Sequence, residues 1–140
     1  MANEATLVME ITPPINFTCA DGTGIEKGAI CKLSDPMTAA LADGDEDYVA
    51  GIAKTEKIAS DGKTKVAIYT DGIFKLTASG SITAGQTVAT HASSGGSNVV
   101  AAATATAVGC KTLGIAFDTA SEGESIRVML RPGCNNTAYS

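Results

Sequence analysis

The chain contains a single histidine, His91, at the start of a Ser- and Gly-rich run that extends to Asn98. A histidine near serines and aspartates invites comparison with the Ser-His-Asp triad, in which the imidazole takes the proton of the serine nucleophile. A chain this rich in Ser and Asp supplies such a set by composition alone, so the residue types carry no weight without a joining geometry. We therefore predict no catalytic residues.

The acidic run 43–47 is a second candidate for chemistry, because hard cations such as Ca²⁺ bind several oxygen ligands. The run departs from the EF-hand loop: Gly44 stands at its second place, Tyr48 where the turn glycine belongs and Lys54 where the bidentate Glu belongs. We interpret the run as an exposed, solvated loop. The sequence predicts no metal site.

The glycines at 22, 24 and 28 form a third candidate, since glycine-rich loops can hold phosphate groups. They lack both the dinucleotide-binding spacing and the following helix, and turn chemistry accounts for them. The net charge of −5 also opposes binding to a phosphate backbone, which needs clustered Lys and Arg. We predict no cofactor and no nucleic-acid partner.

The four cysteines are widely spaced, and no C-x-x-C pair signals zinc or redox chemistry. The N-terminus has no secretory-signal pattern, which predicts a reducing compartment of synthesis and buried free thiols rather than disulfides. Cys134 lies beyond the last predicted strand and is expected to be the most exposed. The cysteines are Cys19, Cys31, Cys110 and Cys134.

Composition limits the fold to one domain with an aliphatic core. Aromatic residues make up 4% of the 140 residues and Trp is absent, so Ile, Val, Leu, Ala and Met must fill the interior. The longest weakly polar stretch, 99–110, is too short and too rich in Thr and Ala to cross a bilayer. We expect no membrane segment.

The secondary-structure elements that would position these candidate residues come from a sequence pattern that occurs twice in the chain. The letters Ala-Gly-Ile-Ala at 50–53 recur as Leu-Gly-Ile-Ala at 113–116, and 59–62 lines up with 120–123. Such self-similarity indicates two related halves, and two copies of short strands favour a small closed β structure over a solenoid. We predict a mainly β fold, a small closed or nearly closed β structure built from two related halves.

The predicted domain organisation follows from that repeat. An extended N-terminal arm covers 1–16, a single β domain covers 17–133, and a tail covers 134–140. Within the domain the related halves are 25–72 and 82–133.

Strand signals occur throughout both halves. We predict strands at 29–33, 48–53, 64–68, 73–76, 87–90, 113–117 and 126–130. The Asp71-Gly72 pair between two of them predicts a hairpin, because both residue types tolerate positive φ. The segment 37–41 is open to one helical turn or a strand, and 101–107 is open to helix or strand. Tyr48, Tyr69 and Phe74 are expected to pack in the core.

The repeated Gly-Ile-Ala strands resemble the phage capsid cement or head-decoration family. The resemblance runs through 49–53 and 64–76 to the Ile-Thr-Ala-Gly-Gln-Thr-Val segment at 82–88, and its closing strands resemble 114–130. A weaker likeness to the lambda-type head decoration protein lies in the same Gly-Ile strand and around Asp71-Gly72. The resemblance covers about 17–133.

That resemblance implies an antiparallel β-barrel or related β-tulip fold without enzymatic activity. It implies a structural virion protein that binds the outer surface of an icosahedral phage capsid and stabilises the expanded head. The implied partners are the major capsid protein and further copies of the chain, as a homotrimer.

The arm offers a mechanism for such binding. An extended apolar segment can add a strand to an exposed sheet edge of a neighbour, and we expect this segment to order only on the capsid. The predicted contact residues are Thr6, Leu7, Val8, Met9 and Ile11.

The competing interpretation is a glycan- or receptor-binding module of a phage fibre or adhesin. It predicts low copy number and an aromatic or Asn/Asp-rich ligand face, for which only 43–47 is a candidate.

Overall fold

The computed structural model describes residues 5–91, 99–102 and 111–131, and these form eleven β-strands without an α-helix. The strands are β1 (Thr6–Met9), β2 (Ile15–Thr18), β3 (Ile30–Asp35), β4 (Thr38–Leu41), β5 (Val49–Ala53), β6 (Lys65–Tyr69), β7 (Gly72–Ala78), β8 (Thr87–Thr90), β9 (Val99–Ala102), β10 (Gly114–Ala116) and β11 (Ser125–Leu130). The predicted mainly β fold is confirmed.

The first barrel closes in the order β2-β4-β3-β5-β6. Its pairings are antiparallel except β2 with β4, which run parallel at Thr18 and Thr38. The segment 37–41, left open between helix and strand, therefore contains a strand.

The second barrel repeats this arrangement in the order β7-β9-β8-β10-β11, with β11 returning to β7. Its single parallel pairing, β7 with β9 at Thr77 and Val99, occupies the same place as β2 with β4. The prediction of two related halves is confirmed, and each half closes a barrel of its own. Ala101 and Ala102 belong to β9, while 103–107 lies outside the described residues.

The core is aliphatic, as composition predicts, but methionine takes no part in its described portion. Ile52 from the first barrel and Phe74, Leu76 and Leu130 from the second belong to one buried cluster, so the barrels share hydrophobic contacts. The buried hydrophobic residues are Ile, Val, Leu, Ala, Cys, Phe and Tyr side chains, whereas Met37 is 55% exposed. Burial of this apolar surface is the main stabilising contribution to the fold.

Cys19 and Cys31 are buried free thiols, as predicted. Burial raises the pKa of Cys31 to about 12, so its thiol stays protonated and unreactive at neutral pH. Cys110, Cys134 and the tail 134–140 lie outside the described residues.

The aromatic prediction is correct at two of three positions. Tyr69 and Phe74 are buried with ring centroids 5.5 Å apart, where the chain passes from the first barrel to the second. Tyr48 is 57% exposed and lies just before β5, with the Lys111 ammonium 5.4 Å from its ring centroid. Its phenol therefore lies at the surface beside a cation.

The predicted hairpin at Asp71-Gly72 is wrong. β6 pairs with β2 and β5, whereas β7 pairs with β1, β9 and β11, so the two strands flanking this turn belong to different barrels. Positive φ occurs at Gly72 but not at Asp71, which excludes the type I′ turn that such a pair favours. The pair is instead the connection between the barrels.

Four equivalent turns follow a common pattern, in which the first residue makes an isolated bridge and the fourth has positive φ. The bridges join Ile25 to Lys57 and Ile82 to Ala120. The fourth residues are Gly28, Ser60, Gly85 and Gly123, with φ of 79°, 59°, 93° and 84°. Gly123 thus matches Ser60, whereas the sequence alignment of 59–62 with 120–123 matched it to Gly62.

Ser60 is the one non-glycine among these four left-handed positions, and Ser60→Gly is expected to stabilise the protein by about 0.5 kcal/mol. A side chain at such φ costs about 1–2 kcal/mol, and glycine removes this cost. Glycine also loses more conformational entropy on folding, which offsets part of the stabilisation. The reciprocal change Gly85→Ser, at a site with open space for a Cβ, should destabilise by about 1 kcal/mol. Urea unfolding of both variants measures this, and equal signs for the two changes would contradict it.

Candidate functional site

Strand β1 brings together four of the five predicted contact residues: Thr6, Leu7, Val8 and Met9. All four are exposed, with Val8 at 46% and Met9 at 56%, and Ile11 just beyond the strand is 48% exposed. Apolar side chains exposed along a whole strand are unusual in a protein that works alone, and they mark a candidate contact surface.

β1 is an edge strand of the six-stranded sheet that also forms the second barrel. It pairs antiparallel with β7, with Thr6 opposite Lys75 and Leu7 opposite Phe74, and the sheet ends there. The expectation that this segment orders only on a capsid is therefore not met, since it is already a strand in the isolated chain. Its second edge has no strand partner in the described part of the chain, and such an edge can accept another strand.

Two backbone contacts fix the position of β1. The Ala5 N–H donates to the Gly28 carbonyl across 2.9 Å, which ties the start of β1 to a turn of the first barrel. At the other end, a Cβ on Gly72 would lie 2.9 Å from the Met9 carbonyl oxygen, so the glycine allows β1 to approach. The strand therefore bridges the two barrels.

A cleft of about 360 Å³ lies beside β1, between the two barrels. Its lining residues are Ala5, Thr6, Leu7, Lys27, Gly28, Ile52, Ala53, Lys54, Tyr69 and Phe74. Burial, followed by the charge and hydrogen bond of Glu10, raises the pKa of Tyr69, which keeps its hydroxyl protonated. The cleft thus has an apolar base and a cationic rim.

The acidic loop 43–47 is held in place by hydrogen bonds within the loop and by one to the second barrel. The Asp47 carboxylate accepts from the N–H groups of Asp43 and Gly44 at 3.0 and 2.9 Å, and Asp43 pairs with Lys32. The Asp47 N–H donates to the Thr90 hydroxyl at 2.8 Å, which joins the loop to the second barrel. In the described ranges no group of three or more His, Cys, Asp or Glu side chains is arranged to hold a metal ion.

His91 lies beside this loop, with its Nε2 3.9 Å from the Asp45 carboxylate. The neighbouring hydroxyl, Thr90, accepts the Asp47 N–H and donates to the Gly44 carbonyl at 3.1 Å. Both hydrogen bonds of the Thr90 hydroxyl hold the acidic loop in place, so this neighbour of His91 has a structural role.

Lys57 is the buried charge that the sequence did not reveal, at 2% exposure. Its ammonium donates to the carbonyls of Asp21 and Ile58 at 3.0 and 2.6 Å. It also donates to the carboxylates of Asp21 and Asp61 at 3.1 and 2.8 Å. The repeat could have indicated this burial, because Lys57 is equivalent to Ala120, a buried residue of the second barrel.

The sequence analysis also did not predict the cleft, because Lys27, Lys54 and Tyr69 are far apart in sequence and meet only through barrel closure.

Across the described ranges, the structure has no helix long and apolar enough to cross a membrane.

The structure is a double β-barrel with an exposed edge strand, and such an edge can pair with a strand of another chain. The family model for phage cement proteins matches residues 9–132 of this sequence. The chain belongs to that family, and it is a capsid-stabilising structural protein of a phage virion.

A solved structure gives the same picture of the fold. The head fiber gp8.5 N base of bacteriophage phi29 is 14% identical, with a TM-score of 0.56, over 88% of this chain and 99% of that chain. No curated protein sequence matches the chain significantly. At this identity the likeness concerns the fold alone.

Proposed function

We propose that this protein binds the outer surface of an icosahedral phage head as a homotrimer, after synthesis in the host cytoplasm, and stabilises the expanded shell without catalysing a reaction. Its partners are the major capsid protein and its own copies. Within the proposed organisation of arm 1–16, domain 17–133 and tail 134–140, the arm makes the contact. The observation that carries this proposal is the exposed edge of β1.

An incoming strand of the shell would gain main-chain hydrogen bonds along β1 and cover its apolar side chains. Each contact would be small, but many copies on one lattice would bind with a strength that no single contact provides.

Val8→Lys is expected to lower affinity for decoration-free expanded heads at least tenfold, because a lysine on an edge strand opposes strand addition. Ile58→Lys is the matched control, since Ile58 is 62% exposed, lies in a turn of the first barrel and is not part of the pairing of β1 with β7. Sedimentation of heads with each variant measures binding, and thermal melts establish that both variants are folded.

Deletion of residues 2–12 is the stronger form of that test. If Val8→Lys and the deletion both bound heads as the wild type does, the arm would not be the contact.

The fibre interpretation remains a second candidate, favoured by the fold shared with a protein named as a head fiber base. The copy number in gradient-purified particles, by quantitative mass spectrometry, separates the two. A ratio near one to one with the major capsid protein supports the decoration proposal, and a few copies per particle would support the fibre.

A further inference from the structure

We propose that the cleft beside β1 receives an extended segment of the major capsid protein that places an apolar side chain on the cleft base and a carboxylate between Lys27 and Lys54. This inference rests on the proposed function and names the chemistry of its partner.

The base of the cleft suits an apolar side chain. Ile52, Tyr69 and Phe74 line it, and each is less than 10% exposed, so the hollow already has firm walls. Its volume of about 360 Å³ exceeds that of any one side chain, which leaves room for the backbone that carries it. Apolar surface buried there would contribute favourably to binding.

The rim calls for a negative partner. Lys27 and Lys54 are both exposed, and no ion pair with either occurs in the described part of the chain. By contrast, Lys32 and Lys57 each pair with an aspartate. At this cleft Lys27 and Lys54 supply two positive charges against the Glu10 carboxylate that hydrogen-bonds Tyr69, on a chain whose net charge is −5. Such a site attracts and orients carboxylates.

The wall of the cleft calls for an extended partner. Thr6 and Leu7 of β1 line it, and β1 has a second edge without a strand partner in the described ranges. A segment lying along that edge would be a strand, and alternate side chains would point into the cleft. Main-chain pairing, apolar burial and charge complementarity therefore act on the same few residues of the partner.

Zero-length crosslinking with a carbodiimide tests the contact directly, because it joins a lysine amine to a carboxylate only when the two already touch. Decorated heads would be crosslinked, digested and analysed by mass spectrometry. We expect crosslinked peptides that join Lys27 or Lys54 to an Asp or Glu of the major capsid protein. Crosslinks from these lysines to another copy of this chain, or none, would overturn the inference.

Charge reversal supplies an independent measurement. Lys27→Glu and Lys54→Glu are each expected to weaken binding to expanded heads about fivefold, and the double variant should lose most of the salt dependence of binding. Lys65→Glu is the control, since Lys65 is exposed on β6 and does not line the cleft. Equal binding by all variants would reject the cleft while leaving decoration intact, whereas failure of the wild type to bind heads would reject both.

Discussion

Alanine at Gly114 or at Gly51 is expected to destabilise the protein by at least about 3 kcal/mol, a large part of the stability of a typical domain. These are the glycines of the repeated Gly-Ile-Ala pattern. A Cβ on Gly114 would overlap the carbonyl oxygen of Met129, and one on Gly51 would overlap that of Tyr69. Backbone cannot move aside as a side chain can, so the strands would have to separate.

The two sites are equivalent within their barrels. Ile52 lies opposite Tyr69 and Ile115 lies opposite Met129, so each glycine meets the carbonyl of the residue that faces its isoleucine. Gly51 adds a second cost, because its φ of 152° lies in a region that other residues rarely adopt. We therefore expect Gly51→Ala to be at least as harmful as Gly114→Ala.

Gly22→Ala is the matched control, because a Cβ there would have no neighbour within 4 Å and the backbone φ is not positive. Its effect should stay within about 0.5 kcal/mol. Urea unfolding, or the soluble yield where a variant does not fold, measures the comparison. Wild-type stability for Gly114→Ala would contradict the requirement for glycine opposite the Met129 carbonyl.

The repeated pattern was therefore visible in the sequence, while its cause was not. Letters alone indicate that glycine recurs at 51 and 114, and alternation predicts β11, where Ile126, Val128 and Leu130 are buried in turn. The requirement for glycine arises from a carbonyl on another strand, at Tyr69 or Met129, and this strand partnership depends on barrel closure. Local patterns specify strands well, but they do not specify which strands meet.

Asp71-Gly72 illustrates the same limit. A local rule predicted that the strands around it pair with each other, but each strand found partners in its own barrel. The edge position of β1 and the cleft beside it depend on that same division of the chain. The contact residues could be proposed from the apolar character of the arm, whereas the lysine rim required the fold.

Lys57→Met is expected to lower the thermal midpoint by roughly 8 °C, because it leaves a hydrogen-bonded cage without its cation. Methionine matches the lysine side chain out to Cε and lacks only the ammonium group, so the packing of the stem is preserved. The four oxygens that Lys57 binds, two carbonyls and two carboxylates, would then face an apolar group. Partial exposure of Asp21 allows water to relieve some of this loss.

Lys63→Met is the matched control in the same turn, since Lys63 is exposed and its backbone N–H, which donates to Asp61 at 2.9 Å, is unaffected. Its midpoint should change by less than about 2 °C. Adding Asp61→Asn to Lys57→Met should cost less than the two changes cost separately, because the buried partner has already been removed.

Acid provides the last test of the cage. Burial opposes the charge on Lys57, but the hydrogen bonds that it donates to Asp61 and Asp21, together with the charges of these two carboxylates, outweigh burial and raise its pKa. The Lys57 hydrogen bond likewise lowers the pKa of Asp61. A carboxyl with a depressed folded pKa stabilises the protein above its unfolded pKa of about 4 and loses that contribution as the pH falls further. The gap between wild type and Lys57→Met should thus be complete at pH 7 and should narrow below about pH 4. A gap that stayed constant down to pH 3 would assign the effect of Lys57 to packing instead of to its charge.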